Sequence, residues 1–371
     1  MTTNAYTIHA QDVLRGGRSL EYLTETYGLK IVRGKQYPNL VLFSYDMVRS
    51  PMRDPLVRQC RGLILDEAND WDVVSHPFDK FFNYGEGMAA EIDWASARFQ
   101  EKLDGSMIQV YHHDGAWHAG TTGTPDGSGS VNKLDMTFRD LFLSTFWQFH
   151  TFSELTEGFT YIFELVTPQN RNIVFRDGPG VFLLSARNLI DGREQLRPAG
   201  WSGMCPPIYP IGSIEDAIAS FAAIDPTERE GYVVVDRHFN RVKVKHPGYV
   251  RLHHLAGGYS QRTLLDVIRK NEDAELLSVF PQWRTDAEAM RNAYSQLVRH
   301  INDDYLKLLA FEPQSQKAFA EHATQTLCPG ALFALRNGKS AGIVAYLASM
   351  HIDHLLDLLV RSKYLVPETT P

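Results

Sequence analysis

The sequence predicts an α+β domain followed by an all-helical domain, and three observations support this fold class. Up to about residue 250, short runs of apolar and β-branched residues typical of strands dominate the chain. From residue 263 onward the apolar spacing is helical and is interrupted mainly by prolines. The length of 371 residues is large for one hydrophobic core. We therefore expect two domains, residues 1–250 and residues 251–371.

The first domain should begin with a helix over residues 9–27. Strand-type runs follow along the chain at 30–32, 40–43, 58–66, 107–111, 159–166, 181–186, 231–235 and 242–245. A helix is predicted at 134–150, where aromatic residues recur at core spacing, and a shorter one at 213–223. In the second domain, helices are predicted at 263–279, 286–310, 314–327 and 340–361.

The charge of the chain is concentrated in its first domain. The whole sequence carries 37 basic and 44 acidic side chains, a net charge of −7. Residues 251–371 hold 13 of each sign, so residues 1–250 hold the entire excess, 24 basic against 31 acidic. Because no global positive field attracts nucleic acid, any contact with it must use a local basic site.

Cysteine usage and hydropathy suggest a cytoplasmic protein, in the host cytoplasm if the source is a virus. Three widely spaced cysteines, Cys60, Cys205 and Cys328, suit a reducing compartment and give no disulfide framework. The N-terminal residues lack the basic start and apolar centre of a signal peptide. No apolar run approaches the roughly 20 residues that a membrane span needs.

The most informative stretch is Glu101-Lys-Leu-Asp-Gly-Ser106, which lies between two strand-type runs. Lys102 at a tight strand junction, followed by Asp104 and the permissive Gly105, suits a nucleophilic amine. A nucleophilic lysine must be neutral, which cationic neighbours or partial burial favour. The alternative is an ordinary surface turn, and the motif alone does not decide between them.

Four further charged residues lie on or beside strands, where a charge without a partner is costly. Lys243 and Lys245 alternate with valines and so share one face, where a polyanion such as a triphosphate would neutralise both. Glu164 and Glu230 could hold a hydrated Mg²⁺, which needs few protein oxygens. The alternatives are a solvent-facing edge strand for the two lysines and ordinary salt bridges for the two glutamates.

Taken in order, these segments resemble the phage-type RNA ligase 1 family of covalent nucleotidyltransferases. The resemblance runs from about Leu40 to Tyr249 through seven motifs: Phe43-Ser-Tyr45, Cys60-Arg61-Gly62, Lys80-Phe-Phe-Asn83, Lys102-Leu-Asp-Gly-Ser106, Phe163-Glu-Leu-Val-Thr-Pro-Gln-Asn-Arg171, Glu230-Gly-Tyr-Val233 and Val242-Lys-Val-Lys245 with Tyr249. Each motif is weak alone, but their ordered coincidence is specific. Two positions depart from the family pattern: Leu103 replaces an acid, and Thr122 replaces a lysine.

The resemblance implies a fold and a set of site residues. The fold is an adenylyltransferase (nucleotidyltransferase) domain with ATP-grasp-like antiparallel sheets, followed by an all-α domain. Lys102 would be the nucleophile, and Glu230, Lys243 and Lys245 would complete the catalytic group. The residues that would bind ATP are Tyr45, Arg61, Lys80, Lys102, Glu164, Lys243 and Lys245.

The resemblance also implies a metal and an RNA substrate. Glu164 and Glu230 would hold Mg²⁺ or Mn²⁺, although Glu164 could equally hold the ribose. A second metal needs another acid, for which Glu272, Asp273 and Glu275 are candidates; Asp273 is our choice. Tyr249 would contact the RNA.

The implied activity is ATP-dependent joining of 5′-phosphate and 3′-hydroxyl RNA ends, through lysyl-AMP and RNA-adenylate intermediates. The expected substrates are breaks in single-stranded RNA or in tRNA anticodon loops, with no membrane or protein partner and a monomeric enzyme. A DNA ligase or capping enzyme would usually append an OB-fold, which the helical pattern after residue 250 does not favour. A non-catalytic RNA-end-binding module remains the alternative from another class.

Overall fold

The structure is a computed structural model. It describes residues 6–47, 49–131, 134–174, 176–255, 260–310 and 315–366; the side chains of residues 254, 255, 275, 278 and 279 lie outside the description. The chain divides into two compact units. The first comprises Met1–Tyr45 with Pro51–His253, and the second comprises Asp46–Ser50 with His254–Pro371.

Three sheets form the framework of the first unit. The first sheet is an antiparallel meander of four strands: β1 (Lys30–Arg33), β2 (Leu40–Ser44), β3 (Arg61–Asp66) and β4 (Asp72–Ser75). One of its faces packs against the first three helices of the chain: α1 (His9–Arg15), α2 (Leu20–Tyr27) and α3 (Pro55–Gln59). This core is built from apolar side chains such as Leu23, Phe43 and Leu63, all of which are fully buried.

The other two sheets have five strands each and carry the candidate site. One has the order β11 (Glu194–Gln195), β10 (Gly180–Asn188), β9 (Phe159–Val166), β7 (Ser106–His113) and β8 (Ala116–Thr121). The other has the order β12 (Ile208–Tyr209), β6 (Arg98–Lys102), β13 (Gly231–Val235), β14 (Arg241–Lys245) and β5 (Phe82–Asn83). Among these pairs only β14 with β5 is parallel. The antiparallel sheets predicted for this domain are therefore confirmed.

Helices cover the outer faces of these two sheets. Helix α4 (Phe138–Phe146) packs its Phe142 and Phe146 against Phe163 of β9, which confirms the expected core role of its aromatic residues. Helix α5 (Ile214–Ser220) packs Ile214 and Ala217 on the sheet that contains β6. Helix α6 (Pro247–Leu255) follows β14 at the end of the unit.

The second unit is helical in its described residues, as predicted. Its helices are α7 (Gln261–Arg269), α8 (Asp273–Val279), α9 (Arg284–Ala310), α10 (Gln316–Ala323), α11 (Pro329–Arg336), α12 (Ile343–Ser349) and α13 (Ile352–Arg361). Buried leucines and isoleucines, including Leu265, Leu297 and Leu355, supply its apolar interior. No helix in the described parts of the chain is both long and apolar enough to cross a membrane.

Several predicted helices were wrong in extent. The single helix expected at 9–27 is two helices, because the chain leaves the helix at Gly16 and Gly17, and Gly17 has φ +85°. The helix expected at 134–150 begins only at Phe138, where Thr137 caps it by accepting a hydrogen bond from the Asp140 backbone.

In the second unit, two long predicted helices are also divided. The stretch 263–279 breaks at Asn271, which adopts a left-handed φ of +55°, and the stretch 340–361 forms α12 and α13. Helix α11 was not predicted, because its Pro329-Gly330 start was interpreted as a break rather than as a helix N-terminus.

Candidate nucleotidyl-transfer site

The motif around Lys102 connects the two five-stranded sheets. Lys102 is the last residue of β6, and Ser106 is the first residue of β7 in the other sheet. The three residues between them turn the chain from one sheet to the next. The lysine therefore lies at the junction of the sheets with its side chain partly buried, rather than on an ordinary surface turn.

Gly105 is required by the close approach of this turn to β9. A Cβ atom at position 105 would lie 2.3 Å from the backbone oxygen of Leu165. The same approach lets the backbone N–H of Gly105 donate to Oε1 of Glu164 at 3.1 Å. The glycine of the motif thus fixes the distance between the turn that follows Lys102 and the strand that carries Glu164.

Asp104 anchors the turn. Its Oδ2 accepts hydrogen bonds from the backbone N–H groups of Ile173 and Val174, both at 2.9 Å. Its Oδ1 accepts from Asn172 Nδ2 at 2.9 Å and from the Tyr249 hydroxyl at 3.0 Å. Burial alone would raise the pKa of Asp104, but these hydrogen bonds outweigh it and lower the pKa. Asp104 therefore fixes the position of the motif by binding two distant segments.

The register of the second site sheet brings the charged residues together. Lys102 of β6 and Lys245 of β14 both pair with Gly231 of β13, so the strand between the two lysines has no side chain at that position. Glu230 precedes this glycine and contacts both ammonium groups. Its Oε2 lies 2.7 Å from Lys102 Nζ, and its Oε1 lies 4.0 Å from Lys245 Nζ.

A cluster of cationic side chains surrounds Lys243. The pKa of Lys243 is lowered well below its usual value, first by burial and then by the charges of Lys80, Arg61, Lys102 and Lys245. Glu230 offsets the charges of Lys102 and Lys245 only in part, and cations that exceed the nearby anions repel each other. The cluster is therefore suited to a polyanionic ligand, as the alternation of Lys243 and Lys245 indicated.

A cavity of about 280 Å³ opens beside the cluster, between the two sheets. Its lining combines apolar side chains, including Phe78, Phe81, Met107, Leu184 and Val233, with charged ones. The charged residues are Arg61, Glu101, Lys102, Glu164, Arg241, Lys243 and Lys245. Apolar surface beside several convergent charged groups fits a ligand that joins a planar base to phosphates, such as a nucleotide.

A smaller cavity of about 210 Å³ lies on the other side of Lys102 and includes both candidate metal-binding acids, Glu164 and Glu230. Burial raises the pKa of Glu164 to about 7; the Lys102 charge opposes this rise, whereas the Glu230 charge adds to it. A divalent cation beside the two carboxylates would offset the repulsion between them. The oxygens of Glu164 and Glu230 therefore fit a hydrated Mg²⁺ or Mn²⁺. The described residues contain no group of three or more His, Cys, Asp or Glu side chains that could hold a metal alone.

Most of the residues predicted for the site, including Tyr249, are near Lys102, but Tyr45 and Lys80 lie in other surroundings. Tyr45 and Lys80 are absent from the described residues that line the 280 Å³ cavity. The Lys80 ammonium lies 5.1 Å from the centre of the Tyr45 ring, so these two form a pair of their own, although the Lys80 charge still acts on Lys243. Tyr249 is buried against Asp104 and lines the smaller cavity.

The acids considered for a second metal lie in the second unit. Asp273 is buried and forms an ion pair with Arg291, which gives this carboxylate a structural partner. Glu272 is exposed, and the side chain of Glu275 lies outside the described residues. The choice of Asp273 as a metal ligand stays a prediction.

Sequence analysis missed several residues that shape the site. Asn172 and the backbone of residues 173 and 174 bind Asp104, yet no local pattern marks them. Glu101 accepts hydrogen bonds from Arg176 and from the Tyr209 hydroxyl, and it lines the larger cavity. An acid directly before Lys102, on the strand that ends with this lysine, was the available indication of its role.

Comparisons with known proteins agree with this geometry. An RNA ligase family model matches residues 59–198. The RNA ligase of Rhodothermus phage RM378 is 27% identical over 280 residues, 57% of this chain and 64% of that protein. A protein of Autographa californica nuclear polyhedrosis virus, whose name combines polynucleotide kinase and RNA ligase, is 27% identical over 300 residues, 75% of this chain and 42% of that protein.

Among solved structures, an archaeal ATP-dependent RNA ligase is similar, with a TM-score of 0.45, 14% identity, and coverage of 88% of this chain and 90% of that one. The match spans less than two thirds of the length of the phage protein and of the nuclear polyhedrosis virus protein. The family match falls on the segment that contains Arg61, Lys102 and Glu164. The resemblance to phage-type RNA ligases that the sequence motifs indicated is therefore confirmed.

Proposed function

We propose that the protein is an ATP-dependent RNA ligase that joins a 5′-phosphate end to a 3′-hydroxyl end. The observation that carries the proposal is the cluster of cations around Lys102 and Lys243, which share one cavity with apolar side chains such as Phe78 and Phe81. The apolar side chains would take adenine, and the cations would take its phosphates. The match of residues 59–198 to an RNA ligase family model supports RNA rather than another acceptor.

The reaction would proceed in three displacements at phosphorus. Lys102 Nζ, having lost a proton, bonds to the α-phosphorus of ATP, and the bond to the β-phosphate oxygen breaks to release pyrophosphate. An oxygen of the RNA 5′-phosphate then bonds to the same phosphorus, and the lysine leaves and regains a proton. Finally the 3′-hydroxyl of the other end loses its proton, bonds to the 5′-phosphorus and releases AMP.

The residues around Lys102 would act by positioning and by neutralising charge, the main requirements of phosphoryl transfer. Lys243 and Lys245 would bind the α-phosphate, and Arg61 and Lys80 would bind the phosphate tail. Glu230 Oε2 lies 2.7 Å from the Lys102 amine. A triphosphate bound to the cluster would compete with Glu230 for this amine.

Glu164 and Glu230 would hold a hydrated Mg²⁺ or Mn²⁺. When bound, the metal supplies further positive charge at the phosphates. The protein's own contribution is to keep both carboxylates beside Lys102, through the Gly105–Glu164 hydrogen bond and through the register of β13. Asp104 and Tyr249 would position this group; a contact of Tyr249 with RNA remains part of the proposal.

The central experiment is labelling with α-³²P ATP in the presence of Mg²⁺, followed by denaturing electrophoresis. The wild-type protein should retain the label, and labelled GTP in its place should leave the protein unlabelled. Lys102→Ala should retain no label and should not seal 5′-phosphorylated RNA, whereas Lys30→Ala, an exposed lysine of β1, should behave as wild type.

A second arm separates the steps. Lys102→Ala should still seal RNA that already carries a 5′-adenylate, at least slowly, because the last step does not need the lysyl-AMP. Labelling of Lys102→Ala by ATP would refute the assignment of the nucleophile. Efficient sealing of DNA but not RNA by the wild-type protein would refute the assignment of the substrate.

We further propose that the helical unit selects broken structured RNA, such as a cleaved anticodon loop. The support is positional, because the cations assigned to nucleotide transfer lie in the first unit. Arg299 and Lys307 are exposed on the 27-residue helix α9, whereas Arg291 is already paired with Asp273.

The test compares sealing of a nicked stem-loop with sealing of a linear oligonucleotide. Arg299→Ala/Lys307→Ala should impair only the stem-loop. Equal effects on both substrates, or no effect on either, would contradict this role for the helical unit.

A further inference from the structure

We propose that a groove beside the nucleotide cavity binds the single-stranded RNA that leads to the end being sealed. This inference rests on the proposed function and adds to it the surface that holds the RNA strand. The groove consists of two large cavities, of about 710 Å³ and 810 Å³, which share Arg237 and Phe239 of the β13–β14 loop. We call these two cavities with their shared loop the arginine groove.

The arginine groove is continuous with the nucleotide cavity. The 710 Å³ cavity shares Phe81 and Arg241 with it, and the 810 Å³ cavity shares Gln100 and Pro206 with it. A strand lying in the groove would therefore have its end close to Lys102. A binding site for a ligand unrelated to the reaction would not have to adjoin the nucleotide cavity.

The groove is basic although the chain as a whole has a net charge of −7. Its carboxylates are Asp79, Asp191, Glu194 and Asp236, against twice as many basic side chains: Arg58, Lys80, Arg98, Arg187, Arg193, Arg197, Arg237 and Arg241. An acidic protein that binds nucleic acid must use a local basic site, and the arginine groove is such a site.

The charges within the groove are divided between floor and rim. At the floor, Arg187 and Arg241 are buried and are neutralised by Glu194, at 2.8 Å and 2.6 Å. At the rim, Arg98 and Arg237 are exposed. Arg237 Nε lies 3.0 Å from Asp93 in a surface ion pair, whereas within the described part of the chain Arg98 forms no ion pair. Arg98 can therefore exchange solvent for phosphate, and Arg237 can exchange a weak surface ion pair for it, which is how single-stranded nucleic acids are held.

The loop between β13 and β14 places an aromatic ring between the two cavities. Asp236 holds this loop by accepting hydrogen bonds from the backbone N–H groups of His238 and Asn240, each at 2.9 Å. Phe239 adopts a left-handed φ of +61°, an unusual conformation for a bulky residue and one that is often found at functional sites.

Phe239 is only half-buried, with arginines on either side. An aromatic ring flanked by cations is the arrangement on which single-stranded bases stack while their phosphates are neutralised. This combination favours single-stranded RNA over a duplex, whose bases are already stacked.

The experiment measures binding of a short fluorescein-labelled single-stranded RNA by anisotropy, over a series of salt concentrations. Arg98→Ala/Arg237→Ala removes two phosphate contacts, so the slope of log affinity against log salt should fall by about 1.4. Arg98→Lys/Arg237→Lys should restore the slope. Phe239→Leu should weaken binding about fivefold or more, without changing the slope.

Two controls make these results specific. Arg18→Ala, which removes an exposed arginine over Tyr22 outside the groove, should bind RNA as wild type does. An unlabelled RNA duplex should compete poorly with the single strand. Circular dichroism and thermal unfolding of each variant will verify that it is folded.

Several results would overturn the proposal. These are an unchanged salt slope in the arginine-to-alanine variant, an equal loss in Arg18→Ala, or a duplex that competes as well as the single strand. ATP-dependent labelling of the wild-type protein is scored separately. If the protein binds RNA in the groove but is never labelled by ATP, the proposed ligase function is contradicted and the proposed groove stands. If the protein is labelled but the groove variants bind RNA as the wild type does, the groove is contradicted and the ligase function stands.

Discussion

Replacement of Asp104 should reveal how strongly the turn after Lys102 is held. Asp104→Ala removes a carboxylate that accepts four hydrogen bonds, two of them from the backbone N–H groups of Ile173 and Val174. Those two donors have no other acceptor assigned in the described structure, and Val174 is buried. Each unsatisfied donor costs about 1–3 kcal/mol, so we expect the free energy of unfolding to fall by roughly 3–5 kcal/mol.

Asp104→Asn should be much milder, and the geometry gives the reason. The remaining amide oxygen can stay at the Oδ2 position and accept from both backbone N–H groups. The new NH₂ group then faces the Tyr249 hydroxyl, which can accept, and the Asn172 amide, which can turn over. Only the charge is lost, so we expect a decrease of about 1–2 kcal/mol.

The pH dependence of stability offers an independent measurement. The folded-state pKa of Asp104 is lowered, so its stabilising contribution is present above the unfolded-state pKa, about 3.9, and is lost as the pH falls through the folded-state value. The wild-type protein should therefore lose more stability than Asp104→Asn as the pH falls below about 4.

The assay is urea unfolding of the wild-type protein and of the two variants at neutral and acidic pH, together with ATP-dependent self-labelling. We expect stability and labelling to decrease in the order wild type, Asn, Ala. Tyr249→Phe is the matched control, since it removes one donor and should cost about 1 kcal/mol. If Asp104→Ala unfolds at the wild-type urea concentration, the turn is not held as described.

Four other substitutions test the charged centre. Glu230→Ala should reduce self-labelling at least about a hundredfold at every Mg²⁺ concentration, and normal labelling would remove Glu230 from the site. Because the pKa of Glu164 in the folded protein is raised to about 7, the metal-free wild-type protein should lose on the order of 3 kcal/mol of unfolding free energy between pH 4.5 and 8. Glu164→Gln should lose less over this range. Identical profiles of unfolding free energy against pH in the two proteins would contradict the raised pKa. Lys243→Met should abolish labelling but should stabilise the protein without nucleotide by about 1–3 kcal/mol, as measured by urea unfolding. A destabilised variant would argue against repulsion among the cations. Gly231→Ala should cost about 2–4 kcal/mol, because its Cβ would lie 2.2 Å from the Val244 oxygen; a wild-type melting temperature would be inconsistent with that contact.

The sequence was most informative where local alternation determines the structure. Lys243 and Lys245 alternate with valines on β14, so their common face was predictable. Glu164 on β9 and Glu230 directly before β13 stand out because acids on or beside strands are rare without a partner. Two-residue periodicity along one strand was enough for the lysines, whereas for the glutamates the sequence marked the residues and not their geometry.

The remaining features depend on contacts between distant segments, which periodicity does not encode. The pairing of Lys102 and Lys245 with Gly231 is set by the register of three strands. The four contacts of Asp104 join residues far apart in the sequence, so Asp104 was interpreted only as a neighbour of the lysine. Helix ends were misjudged where a left-handed residue such as Asn271 interrupts an otherwise continuous pattern.

The order of strands around the nucleophile also governs when the site can form during synthesis of the protein. Strand β6 lies between β12 and β13, both of which follow it by more than a hundred residues in the chain. On a growing chain, the strand that carries Lys102 has neither neighbour until residues 208–235 have left the ribosome. The hydrogen bond that completes the turn comes from Tyr249, 145 positions after Asp104. Nascent chains that stop before Tyr249 therefore lack this hydrogen bond, and the candidate site is complete only after residue 249 has been added.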